Sequence, residues 1–287
     1  MTHPAYTLSR PGRRTTSVVF ASPHSGRAYP ASFMRATCLN EAQVRSSEDA
    51  FVDQLFASAV EHGAPLLAAN APRAFLDLNR GFDELDPAVV SGVRRAAHNP
   101  RIASGLGVIP RVVSNGRPIY SGKIALTEAH ARIRDYWRPY HDQLQALLDE
   151  SVNTFGEGIL IDCHSMPHEA LEGTGPAGGA RPDVVLGDRF GASAASAVVE
   201  QVEAAFSEAG FKVARNMPFA GAYICQHYGR PVRHRHAVQV EIDRSLYMDE
   251  ATIKPKPDFE AFKATLGRVI ARLADIGRSS DVPMAAE

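Results

Sequence analysis

Two histidines in this 287-residue chain stand where they could share a metal ion. His24 lies in the tight turn Pro23-His24-Ser25-Gly26, directly after the β-rich run SVVFAS at 17–22, and Gly26 lets the backbone fold back. His164 directly follows the apolar run GILIDC at 158–163. A hydrolytic zinc centre takes three protein ligands and keeps one position open, and two histidines with one carboxylate make such a set. Glu48 or Asp49, in SSEDAFVD at 46–53, can supply the carboxylate. Plainer explanations compete. A turn histidine bonds a carbonyl, a strand-end histidine is buried with a partner, and acids near Ser46 or Ser47 complement the dipole of a helix capped by either serine. The last accounts for the acids but not for the paired histidines. Asp162, two residues before His164, alternates to the same sheet face, where it orients a ligand from behind or pairs with a buried arginine.

Glu241 interrupts the apolar pattern of VQVEIDR at 238–244. Burying such a carboxylate unpaired is costly, so it is either a base acting on water or the partner of Arg244 or another arginine. Asp243 alternates to the same face and competes for that role. Asn79-Arg80, closing LDLNR at 76–80, joins an amide to a planar guanidinium, a pair suited to gripping a substrate carboxylate or else simply solvated. Arg73, Arg111 and Arg181, in nearby loops, can assist.

The elements that must position these groups alternate between apolar strands and amphipathic helices. Strands are expected at 17–22, 65–69, 74–79, 158–164, 183–186, near 211–214 and at 236–243. Phe51, Val52, Leu55, Phe56, Ala59 and Val60 mark one helical face ending at Gly63. A longer helix runs from Thr127 through Leu148, with a kink or a division into two helices expected at Pro139, and further helices cover 192–209 and 257–276. The Gly/Pro-rich stretch 81–122 reads as a long functional excursion, EGTGPAGGARP at 172–182 as a glycine-rich loop, and 277–287 as a frayed tail. The pattern predicts a single α/β domain over 1–287, with a mostly parallel or mixed central sheet flanked by helices and with 1–16 and 277–287 peripheral. Ligands bind such sheets outside the carboxyl ends of the strands, where the two histidines, Asn79, Arg80 and Glu241 are concentrated.

Composition narrows the function classes. With 31 Lys+Arg against 32 Asp+Glu, a net charge of -1 gives no general pull toward nucleic acid. The 45% hydrophobic and 22% charged content excludes collagen, coiled coil and a largely disordered chain. No stretch approaches the ~20 apolar residues of a membrane span, and the start MTHPAYTLSRPGRR lacks the apolar segment of a secretory signal. Three distant cysteines without a CxxC pair predict reduced thiols in a cytoplasmic protein. Oligomeric state is not readable.

PHSGRAYP, SSEDAFVDQLF, FLDLNR, DCHSMP, RPDVVLGDRFGAS, GAYICQHYGRP and HAVQVEIDRSLYM, in this order from about residue 18 to about residue 248, together resemble the N-formylglutamate amidohydrolase family. The resemblance implies a fold similar to the zinc carboxypeptidases and the aspartoacylase-type deacylases. It implies hydrolysis of a small N-acyl amino acid, N-formyl-L-glutamate, to formate and glutamate, late in histidine degradation. Zn2+, or another divalent transition metal, would be held by His24, His164 and Asp49, with Glu48 as the alternate ligand. In relatives with an HxxE motif the carboxylate lies three residues after the first histidine. That position is Arg27 here, so the ligand has moved to the helix or the site is altered. Glu241 matches the general base, Asn79 and Arg80 match the pair that grips the α-carboxylate, and Tyr223 and His227 become pocket residues. A sister deacylase or carboxypeptidase, or a non-catalytic metal- or carboxylate-binding domain, are the alternatives.

Overall fold

Seven strands form one mixed sheet in a computed structural model that describes residues 3–94, 99–172 and 181–278. They are β1 (Tyr6–Ser9), β2 (Val18–Ser22), β3 (Leu66–Ala69), β4 (Gly158–Met166), β5 (Val184–Gly187), β6 (Val213–Arg215) and β7 (Arg235–Asp243). Their order is β1-β3-β2-β4-β7-β5-β6. The pairs β3–β2, β2–β4, β4–β7 and β5–β6 are parallel, whereas β1 and β5 meet their neighbours β3 and β7 antiparallel. The helices are α1 (Ala31–Ala36), α2 (Glu41–Arg45), α3 (Val52–Leu55), α4 (Pro100–Ala103), α5 (Leu126–Arg132), α6 (Arg138–Phe155), α7 (Ser196–Glu208), α8 (Tyr223–Tyr228) and α9 (Phe259–Ile276).

Every residue of β4 is buried, which is why its first half, GILI, is a continuous apolar run rather than an alternation. One face, carrying Ile159, Ile161, Val238, Val240 and Ile242, packs on α7 and α9 through Val199, Val202, Leu266 and Ile270. The other, carrying Val19, Leu160 and Ala237, packs on α6 through Leu144, Leu147 and Leu148. Each such buried aliphatic side chain contributes about 1.5–3 kcal/mol. Toward the carboxyl ends of β4 and β7 this second face turns polar: Asp162 lies opposite Gln239, and His164 opposite Glu241.

Two local expectations differ from the structure. Residues 74–79 form turns, not a strand: Phe75 and Leu76 donate their N–H to Pro72 and Asp77 to Val108, and Phe75, Leu76 and Leu78 are apolar because the loop itself is buried. The helix read from 51 to 60 breaks at Phe56 into α3 and a 3₁₀ turn, Ala57–His62, closed as expected at Gly63 (φ 80°). Neither Ser46 nor Ser47 caps it, for the N-cap is Phe51, which supplies no side-chain acceptor. Near Pro139 the long helix divides as expected, into α5 and α6 joined by a π-helical turn at Ile133–Trp137, and Pro139, which lacks an N–H, sits in the first turn of α6. Residues 173–180 of the glycine-rich stretch and 279–287 of the tail lie outside the described residues.

Candidate metal centre

The chain leaving β2 turns back at Gly26, where an added Cβ would lie 2.1 Å from the Ala71 carbonyl oxygen, so only glycine permits this approach. The turn buries His24 at the end of the sheet, where its carbonyl accepts the Asp49 N–H at 3.0 Å. Phe51 then adopts φ 67°, the left-handed conformation, and reverses the chain into α3. Asp49 therefore precedes the helix and faces the histidines. Its Oδ2 lies 2.9 Å from His164 Nδ1 and 3.4 Å from His24 Nδ1, and the two rings stand 4.8 Å apart between centroids.

These three residues, all buried, bring their ligand atoms within 4.8 Å of one another. His24 Nδ1 is fully enclosed and has no hydrogen-bond partner. A buried ring nitrogen without a partner is costly, and a cation between the two Nδ1 atoms and Asp49 would satisfy it. Two imidazoles and a carboxylate also form a donor set suited to zinc. The far nitrogens are held from behind: His24 Nε2 meets Asp77 Oδ1 at 2.7 Å, and His164 Nε2 meets Asp162 Oδ2 at 3.1 Å, close enough for charge pairing but not aligned as a hydrogen bond. Such partners fix tautomer and ring orientation. The surroundings favour positive charge. Although burial opposes it, Asp162 and Asp49 hold the His164 imidazole well above its usual range. Burial likewise works against ionisation of Asp49, yet His164 and His24 keep its carboxyl well below the usual carboxylate range.

Glu48 takes no part: its oxygens accept from Tyr29 and Arg45 on the far side. Arg244 donates to Asp49 Oδ1 at 2.9 Å and to Ser165, not to Glu241. Glu241 has no ion-pair partner among the described residues and accepts one hydrogen bond, from Gln239 Nε2 at 2.8 Å. Burial raises its carboxyl to about 7, with His164 pulling it down and Asp49 pushing it up. Asp243 is occupied by His168 and by the Ser245 N–H.

A cavity of about 360 Å³ opens onto this cluster, lined among others by His24, His164, Glu241, Arg73, Asn79 and Arg80. Asn79 donates toward Gln239 and accepts the Ile224 N–H of α8 at 2.8 Å, while Arg80 donates to the carbonyls of Leu106 and Asn79. Arg73 pairs with Asp77 at 3.2 Å and stands 3.8 Å from Asp49. Three expected pocket residues do not line the cavity. Arg111 pairs with Asp86, whereas Tyr223 and His227 stack on each other, with Tyr223 against Trp137. Arg181 is drawn off to His168 and Glu172. The segment around Tyr223 contributes instead through Gly221 and Ala222 in the cavity wall. Asp77, Gln239 and Arg101 are site residues that no local pattern singled out.

The family model of N-formylglutamate amidohydrolase matches residues 16–248. An N-formylglutamate deformylase of Pseudomonas aeruginosa is 32% identical over 277 residues, covering 93% of this chain and 96% of that protein. Another, of Pseudomonas putida, is 31% identical over 240 residues, covering 81% and 82%. The crystal structure of N-formylglutamate amidohydrolase from Ralstonia eutropha is similar with a TM-score of 0.88 and 34% identity, over 95% of this chain and 98% of that one.

Proposed function

The chain belongs to the N-formylglutamate amidohydrolase family, and from that premise we propose that it is a metal-dependent enzyme hydrolysing N-formyl-L-glutamate to formate and L-glutamate. The observation that carries this reading is the buried Nδ1 of His24, which has no hydrogen-bond partner and faces Asp49 and His164 beside Glu241, a carboxylate with no ion-pair partner among the described residues. His24, Asp49 and His164 would hold Zn2+ or a similar divalent ion. When bound, such an ion supplies Lewis acidity, polarising a carbonyl and making water a competent nucleophile near neutral pH.

The chain's own residues do the rest. Glu241, oriented by Gln239, accepts the proton of the attacking water at a carboxylate oxygen and delivers it to the departing amide nitrogen. Arg80 holds the α-carboxylate of the amino acid, and Asn79, fixed by Ile224, keeps that grip in register with His164. Asp77 and Asp162 keep the two imidazoles turned with Nδ1 inward.

A formate-release assay tests the reading. The metal-loaded protein should release formate from N-formyl-L-glutamate, lose the activity to a chelator and regain it with zinc. Release unaffected by metal removal would sink the metal role. A preference for N-acetylglutamate or N-acetylaspartate would instead identify a sister deacylase.

A further inference from the structure

Among the described residues, two cavity cations meet no carboxylate. The cavity also holds Arg73 and Arg244, but these are committed to Asp77 and Asp49. Arg80, buried, donates only to carbonyl oxygens. Arg101, partly buried on α4, lines the same cavity with no ion-pair partner. Burial presses the Arg80 guanidinium below its usual range, and the nearby charges of Arg73 and Arg101 add to this against Asp77. Two unneutralised cations facing one cavity repel each other unless an anion joins them.

Their spacing is built in. Leu106 bridges them, since its carbonyl accepts from Arg80 Nε at 2.8 Å and its N–H donates to the Arg101 carbonyl at 2.8 Å. Asn99 caps α4 by accepting the Arg101 N–H and ties it to Glu84, and Arg111 donates to the Ala103 carbonyl. Arg111 therefore braces the helix that presents Arg101. Of the two cations Arg80 belongs to the metal cluster: the same loop carries Asp77, bonded to His24, and Asn79, beside His164. The carboxylate nearest the scissile nitrogen falls to Arg80, which leaves Arg101 for a second one.

We propose that Arg101 is the specificity residue for the substrate's side-chain carboxylate, the γ-carboxylate of an N-formylglutamate. The inference rests on the reading of this pocket as an N-formylglutamate site, and it predicts that a glutamate derivative is chosen over a neutral isostere. A charge-assisted hydrogen bond of this kind corresponds to about a 10- to 100-fold preference.

The test compares N-formyl-L-glutamate with N-formyl-L-glutamine, which has nearly the same shape without the charge. In the zinc-loaded wild-type protein kcat/KM should favour the glutamate form by about 10- to 100-fold. Arg101→Met should erase that preference by lowering the glutamate value, mostly through KM, and Arg101→Lys should restore part of it. Equal losses on both substrates, or an intact preference, would overturn the assignment. Calorimetric binding of L-glutamate and L-glutamine separates this inference from the reaction. If the wild-type protein releases no formate, a glutamate preference that Arg101→Met abolishes still sustains the role of Arg101. Equal binding of the two amino acids to the wild-type protein refutes it.

Discussion

Replacing Glu241 by glutamine leaves the shape of the site intact and removes only a proton acceptor. Glu241→Gln should retain metal while kcat falls by about 100- to 10,000-fold, because proton transfer by a positioned group contributes that much. Metal content and turnover measured on one preparation check this, and near-normal turnover would refute the base assignment. The base works ionised, so kcat/KM should rise with pH through its pKa. Burial sets that at about 7 in the metal-free chain, and a cation beside Asp49 lowers it, so the acid limb should fall at or below pH 7. Arg80→Ala should act chiefly on KM, raising it about 10- to 100-fold for loss of a charged hydrogen bond. His24, His164 and Glu241 were legible in the sequence because polar residues stood out against apolar strands. Asp77 was not. It lies 53 residues from His24, and nothing local announces a bond made by folding.

Elements decide whether those residues meet. The close pass between Gly26 and Ala71 lets the β2 loop aim His24 at Asp49. Gly26→Ala should destabilise the fold by about 1–3 kcal/mol, since backbone must move to admit the methyl group. Thermal unfolding reads that loss, and zinc affinity should fall with it because His24 is two residues away. Strand β4 was readable because burial on both faces imposes the apolar run GILI at its start, and β7 because Val238, Val240 and Ile242 alternate along one face. Residues 74–79 misled for the same reason: a buried loop is also apolar, and only its hydrogen bonds to Pro72 and Val108 distinguish it from a strand. Asp49 escaped the usual logic of acids at helix starts because left-handed Phe51 intervenes before α3.

At the scale of the molecule, the centre joins the turn after β2, the approach to α3 and the end of β4, so a bound cation should stabilise the whole fold. Zinc at a hundredfold excess over its dissociation constant adds about 2.7 kcal/mol. The melting temperature should therefore rise by several degrees, and His164→Ala should abolish the rise. The parallel register of β2, β4 and β7 gathers the candidate ligands and Glu241 at one end of the sheet, with the two cores packed behind them. The most direct test of that convergence is anomalous diffraction at the zinc edge from crystals of the zinc-loaded protein. One strong peak should lie between His24 Nδ1, His164 Nδ1 and Asp49, next to Glu241. A peak elsewhere, with His24 Nδ1 still without a partner, would contradict the assignment.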